Sequence, residues 1–132
     1  MARDDFKKRW RAVHMSHRHA LIIEDEILIA MEVEALLAEQ GFETFDIAES
    51  PQEALDCALR RPPDLITADY RISGGTGVEA VTAILARLGP IPVVYVTGNA
   101  DQLGARTRAV VDKPISPHRL AEACAMVQAA SA

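Results

Sequence analysis

Lysine nearly disappears from this chain after its first eight residues. From Arg9 to Ala132 there is one, Lys113, and every other fixed cation is an arginine. Cysteine is as scarce: Cys57 and Cys124 stand in stretches of helical pattern at a spacing that suits no metal site. They read as small buried hydrophobes in a reducing compartment. No apolar run is long enough to span a bilayer, and no signal-peptide pattern opens the chain. Internal repeats and low-complexity linkers are also missing. With 132 residues, one domain is expected, able to bury roughly two-thirds of its surface.

The charge is unevenly spread. Residues 1–18 hold six Lys/Arg and two acids, whereas the remainder holds eight Lys/Arg and seventeen acids. An acidic body excludes nucleic acid as the expected partner. Residues 1–18 show no clear apolar period. They read as a flexible basic tail, a partner-docking helix, or residues left by cloning ahead of a native start at Met15, and they are set aside from the fold. The alternation of His14, His17 and His19 is not a metal-ligand spacing on a helix.

From His19 onward the pattern is regular. His19–Ile23 reads as a strand that ends in Glu24-Asp25-Glu26. A helix follows with Ile29, Val33, Leu36 and Leu37 on one face, and Gly41 stops it. Residues 42–48 form a second strand. Ser50-Pro51-Gln52-Glu53 is a capping box with proline at the first helical position, opening a helix with Ala54, Leu55, Ala58 and Leu59 inward. Leu65-Ile66-Thr67-Ala68-Asp69 is a third strand ending on a carboxylate, and a glycine-rich loop follows. A third helix carries Val78, Val81, Ile84, Leu85 and Leu88. Residues 91–97 form a fourth strand, 100–107 leave room for two helical turns at most, and 109–111 form a fifth strand ending at Asp112-Lys113-Pro114. Ser116-Pro117 caps a last helix with Leu120, Ala123, Cys124 and Val127 inward.

This is a (βα)5 pattern with short links. It predicts an α/β domain over residues 19–130, a doubly wound five-stranded parallel sheet with a shortened or loose fourth helix. Near-continuous apolar strands fit burial on both faces. In such sheets the ligand crevice lies at the carboxyl ends of the strands. There the chain sets Glu24 and Asp25, Asp69, Thr97 and Lys113. Three close carboxylates need a cation or a proton, and a hard divalent ion such as Mg²⁺ suits oxygen ligands. Thr97 offers a hydroxyl donor and Lys113 a compact positive charge. The set suits phosphoryl transfer to Asp69.

An acidic pair after the first strand, Asp at the third, Thr-Gly at the fourth and Lys-Pro at the fifth resemble the receiver domain of two-component response regulators. The resemblance covers nearly the whole body, and five motifs in order make it specific. It implies a flavodoxin-like strand order 2-1-3-4-5. It implies Asp69 as phosphoacceptor, with a sensor histidine kinase or a histidine phosphotransfer protein as donor. Mg²⁺ would be held by Glu24, Asp25, Asp69 and the Arg71 carbonyl, and Thr97 and Lys113 would contact the phosphoryl group. The Lys113–Pro114 peptide is a candidate for the cis form.

The chain departs from the family at two places. Receivers often carry an aromatic switch residue three positions before the lysine, where this chain has Val110. The link from Thr97 to Lys113 is short, and Tyr95-Val96-Thr97-Gly98 resembles the Phe-Ala-Thr-Gly motif of a subgroup, several of them single-domain proteins from alphaproteobacteria. Phosphorylation is therefore expected to act by ordering or shifting residues 98–108. Arg71 and Asn99, with Gly98 beside it, are candidates for tuning phosphoryl lifetime.

The expected function is a cytoplasmic single-domain response regulator, monomer or weak dimer, with no membrane or nucleic-acid partner. It would signal to a downstream protein target or pass the phosphoryl group onward, and would catalyse only its own phosphorylation and dephosphorylation. Its docking face would be formed by residues 98–130; Val111, Ile115 and His118 either border it or belong to the core. Two alternatives are a pseudo-receiver binding module and a receiver excised from a larger regulator. An aspartyl phosphatase or mutase is disfavoured because Arg71 stands where its second Asp would act.

Overall fold

Residues that alternate between two buried faces account for the near-continuous apolar strands. The computed structural model describes residues 18–103 and 109–131; the readings made of residues 1–17 and 104–108 lie outside the described residues. Five parallel strands form the main sheet: β1 (His19–Ile23), β2 (Thr44–Ala48), β3 (Leu65–Ala68), β6 (Val93–Thr97) and β7 (Val110–Asp112). Their order is β2-β1-β3-β6-β7, all parallel. This is the expected 2-1-3-4-5 order.

Helices α1 (Ile27–Glu39) and α4 (Pro117–Ser131) cover one face. Ala30, Val33, Leu37, Leu120 and Cys124 pack there on Ala20, Ile22, Leu65, Val94 and Val111. Helices α2 (Pro51–Arg60) and α3 (Gly77–Leu88) cover the other, with Ala54, Ala58, Ala80 and Ile84 on Leu21, Ile23, Ile66 and Tyr95. Neighbouring strand residues thus serve opposite layers, as the two-residue side-chain period requires.

Local signals set the helix ends. Ser50 Oγ accepts the Glu53 N–H at 3.2 Å, and Ser116 Oγ accepts the Arg119 N–H at 3.3 Å, as expected from the sequence. Gly41 adopts φ 101° just past α1, where a side chain would be strained. Thr76 also caps α3, accepting the Glu79 N–H at 3.1 Å; the Thr-x-x-Glu spacing carried that signal, and it is not among the caps expected above.

The structure corrects several details. The glycine-rich loop after Asp69 is a small antiparallel hairpin, β4 (Arg71–Ile72) with β5 (Gly75–Thr76). Where a shortened or loose fourth helix was expected, the described residues form a 3₁₀ turn at Ala100–Leu103, which agrees with that expectation. Val78 and Leu59, expected inward, lie at the surface, and Ala80 and Cys57 take the inner positions. In α3 the small residues Gly77 and Ala80 face inward, Gly77 against Ala68 and Asp69, while Val78 lies on the outer side. Val111 and Ile115 are buried in the α1/α4 layer and belong to the core rather than to a docking face. No helix of the described residues is long and apolar enough to cross a membrane.

Candidate functional site

Each site residue is delivered by a strand that has just ended. The β1–β2 ladder runs one step past the strand, with the Glu24 N–H donating to the Ala48 carbonyl at 2.9 Å. On its other side the Asp69 N–H donates to the Ile23 carbonyl at 3.0 Å. The Lys113 N–H donates to the Thr97 carbonyl at 3.2 Å. These bonds extend the sheet's hydrogen-bonding pattern beyond β1, β3 and β7. They hold Glu24, Asp69, Thr97 and Lys113 at one sheet edge, and Glu24, Asp69 and Thr97 are buried.

The ammonium of Lys113 joins two of them. Its Nζ lies 2.7 Å from Glu24 Oε1 and 2.8 Å from Asp69 Oδ2. The other Asp69 oxygen, Oδ1, accepts the Tyr70 N–H at 2.7 Å. Glu24 Oε2 accepts the Glu26 N–H at 3.3 Å. Thr97 is fully buried, and its Oγ1 accepts the Asn99 N–H at 3.0 Å. The Lys113–Pro114 peptide is cis. Asp25 is half-buried and meets the hairpin after β3: its Oδ2 accepts the Ser73 hydroxyl at 3.3 Å. Arg71 is exposed on β4, Gly98 is exposed, and Asn99 and Val110 are half-buried.

The electrostatics follow from this packing. Burial pushes the Glu24 carboxyl above its ordinary value, and the nearby Asp69 charge adds to that rise; hydrogen bonding to Lys113 opposes it without cancelling it. For Lys113, burial alone would lower the ammonium. The hydrogen bonds and charges of Asp69 and Glu24 outweigh burial and raise it. The net result is a protonated lysine held as counter-ion between two carboxylates.

Among the described residues no three acidic, histidine or cysteine side chains converge as a metal-binding group in this conformation. The donor chemistry nonetheless fits a hard divalent ion. Three carboxylates share one edge, and a cation, the Lys113 ammonium, already sits against two of them. Glu24, Asp25, Asp69 and the Arg71 carbonyl are the oxygens that would serve.

The sequence of residues 20–125 matches the family model for the response regulator receiver domain. The chain belongs to the response regulator receiver family. As a receiver it is 34% identical over 104 residues to the transcriptional regulatory protein PdtaR of Mycobacterium tuberculosis, covering 75% of this chain and 51% of that protein. It is 35% identical over 103 residues to the phyllosphere-induced regulator PhyR of Methylorubrum extorquens, covering 74% of this chain and 38% of that one. The chain therefore spans about half or less of the length of these two relatives. Among solved structures, the receiver domain of Erythrobacter litoralis PhyR superposes with a TM-score of 0.78 at 28% identity, over 86% of this chain and 92% of that one. PhyR from Brucella abortus gives 0.72 at 29% identity, over 98% and 56%.

Three features of this receiver are not singled out by the sequence. Gly77 presses on the Asp69 backbone: a Cβ there would lie 1.8 Å from the Asp69 carbonyl oxygen. Ser73 ties the hairpin to Asp25. Tyr95 pairs in register with Val110 across β6 and β7, so the ring beside this position comes from the neighbouring strand. Only the glycine at the end of Ser73-Gly74-Gly75-Thr76-Gly77 had a visible signal, its place at the start of a helix.

Proposed function

We propose that this receiver takes a phosphoryl group onto Asp69 from a phosphohistidine, in a Mg²⁺-dependent step, and signals in the cytoplasm through protein contacts or onward transfer. An Asp69 carboxylate oxygen forms a bond to phosphorus as the phosphorus–nitrogen bond of the donor breaks. The imidazole leaves with that electron pair and takes up a proton. Mg²⁺ bound by Glu24, Asp25, Asp69 and the Arg71 carbonyl would neutralise charge on the phosphoryl oxygens. Lys113 moves its ammonium contact from Asp69 Oδ2 to a phosphoryl oxygen, and the Thr97 hydroxyl donates to another.

The observation that carries this reading is the Lys113 ammonium held 2.8 Å from Asp69 and 2.7 Å from Glu24. The donor would be a sensor histidine kinase or a histidine phosphotransfer protein. Ile27, Leu28 and Met31, exposed in the first turns of α1 beside the acidic pair, offer it an apolar contact. With Val110 in place of an aromatic, the signal would run from Thr97 through its bond to Asn99 into the 3₁₀ turn, whose Gln102 N–H donates to the Asn99 carbonyl at 2.9 Å.

Acetyl phosphate with Mg²⁺ supplies the test. Intact-mass measurement is expected to show one added phosphoryl group, lost in Asp69→Asn and on chelation of Mg²⁺. Amide exchange across residues 98–103 is expected to change with phosphorylation. No phosphoryl gain would leave a binding module that does not turn over phosphate, and an equal gain in Asp69→Asn would place the modification on another residue.

A further inference from the structure

The two acids after β1 are neighbours in sequence and belong to different networks in space. Glu24 is buried against Lys113. Asp25 faces the hairpin, where Ser73 Oγ donates to its Oδ2 at 3.3 Å. That bond spans 48 residues. It joins the loop after β1 to the loop after β3, the two segments whose oxygens would form the metal site.

Ser73 is itself held from a third side. Its backbone N–H donates to the carbonyl of Glu49, in the loop after β2, at 3.0 Å. One residue therefore links three loops at the carboxyl edge. The backbone bond fixes where Ser73 stands, and the hydroxyl then fixes one oxygen of Asp25. Among the described residues the second oxygen of that carboxylate is left free.

We infer that Ser73 is a positioning residue for the divalent cation: its hydroxyl orients the Asp25 carboxylate so that the free oxygen can ligate Mg²⁺. This rests on the metal reading given under Proposed function. An outer partner that orients a ligating carboxylate typically contributes about ten- to hundredfold in metal affinity. Ser73 is exposed and its bond is long, so the low end of that range applies.

The test uses the full chain and Mg²⁺ alone, without a phosphoryl donor. Titration calorimetry, or amide chemical shifts of Asp25 and Ser73, gives the Mg²⁺ dissociation constant. Ser73→Ala is expected to weaken it about tenfold, and Ser73→Thr, which keeps the hydroxyl, to restore it to within about twofold. Both variants keep the N–H to Glu49, so unfolding in metal-free buffer is expected to be the same for all three. Equal or tighter binding by Ser73→Ala overturns the role of Ser73 and leaves the metal site intact. No saturable Mg²⁺ binding by the unaltered chain overturns the metal reading, and Ser73's role with it. Loss in Ser73→Ala that Ser73→Thr does not restore also overturns it, since the hydroxyl would then not be the acting group.

Discussion

Gly77 shows how little room the phosphoacceptor's backbone has. Its own N–H donates to the Tyr70 carbonyl at 2.8 Å, and a methyl group at its Cα would lie inside the Asp69 carbonyl oxygen. Gly77→Ala must therefore push either the start of α3 or Asp69 itself. Overpacking of this kind costs about 1–3 kcal/mol, read in urea denaturation, and phosphoryl uptake is expected to slow because the displaced group is the nucleophile. Gly98→Ala, where nothing lies within 4 Å of the added atom, serves as the control for stability. Equal stability of the Gly77 variant and the unaltered chain would show that the contact relaxes without cost. The candidate site was legible at this scale because its residue types are few and stand at strand ends. Gly77 was legible only as a glycine at the start of a helix, since a glycine that is needed for space looks in sequence like any glycine of a turn.

At the scale of elements, α4 closes one face of the sheet and carries the more strongly shifted thiol. Cys124 is fully buried, and burial pushes its thiol from 9.0 up to about 11. Burial moves Cys57 in the same direction. The folded chain keeps a proton on Cys124 that the unfolded chain gives up, so the contribution is complete below about pH 9 and is lost as pH rises through about 11. A thiol raised this far contributes about 2–3 kcal/mol. Denaturation midpoints of the unaltered chain are expected to fall between about pH 8 and about pH 11, and to fall less in Cys124→Ala. Equal slopes would mean that Cys124 ionises as freely folded as unfolded. The helix itself was readable from its apolar period, with Leu120, Ala123 and Cys124 inward as expected. The hairpin β4–β5 was not readable, because two strands of two residues each are too short to show a period.

For the whole molecule, the buried residues of both layers, among the described residues, run from Ala20 to Cys124. Residues 1–17, where the positive charge concentrates, show no clear apolar period in sequence. Deleting residues 1–17 is expected to leave the cooperative thermal unfolding of the chain, and its midpoint, unchanged. A lower midpoint would mean that this segment contributes to the core and that the domain does not begin at residue 19.

The alternation of strands and helices and the polar residues at the strand ends were legible in the sequence itself, whereas the strand order was implied by the resemblance to receivers. Burial on both faces writes near-continuous apolar strands, short links force right-handed crossovers, and polar residues appear where each strand leaves the core. What the tertiary structure alone decided is the division of labour within Glu24-Asp25. In sequence they are two equivalent acids. In space β1 turns Glu24 into the buried edge against Lys113 and turns Asp25 out towards Ser73. Glu24 still holds the ladder bond to Ala48 whereas Asp25 has left the strand, and the partners that meet them come from distant loops that only the folded sheet brings to the same edge.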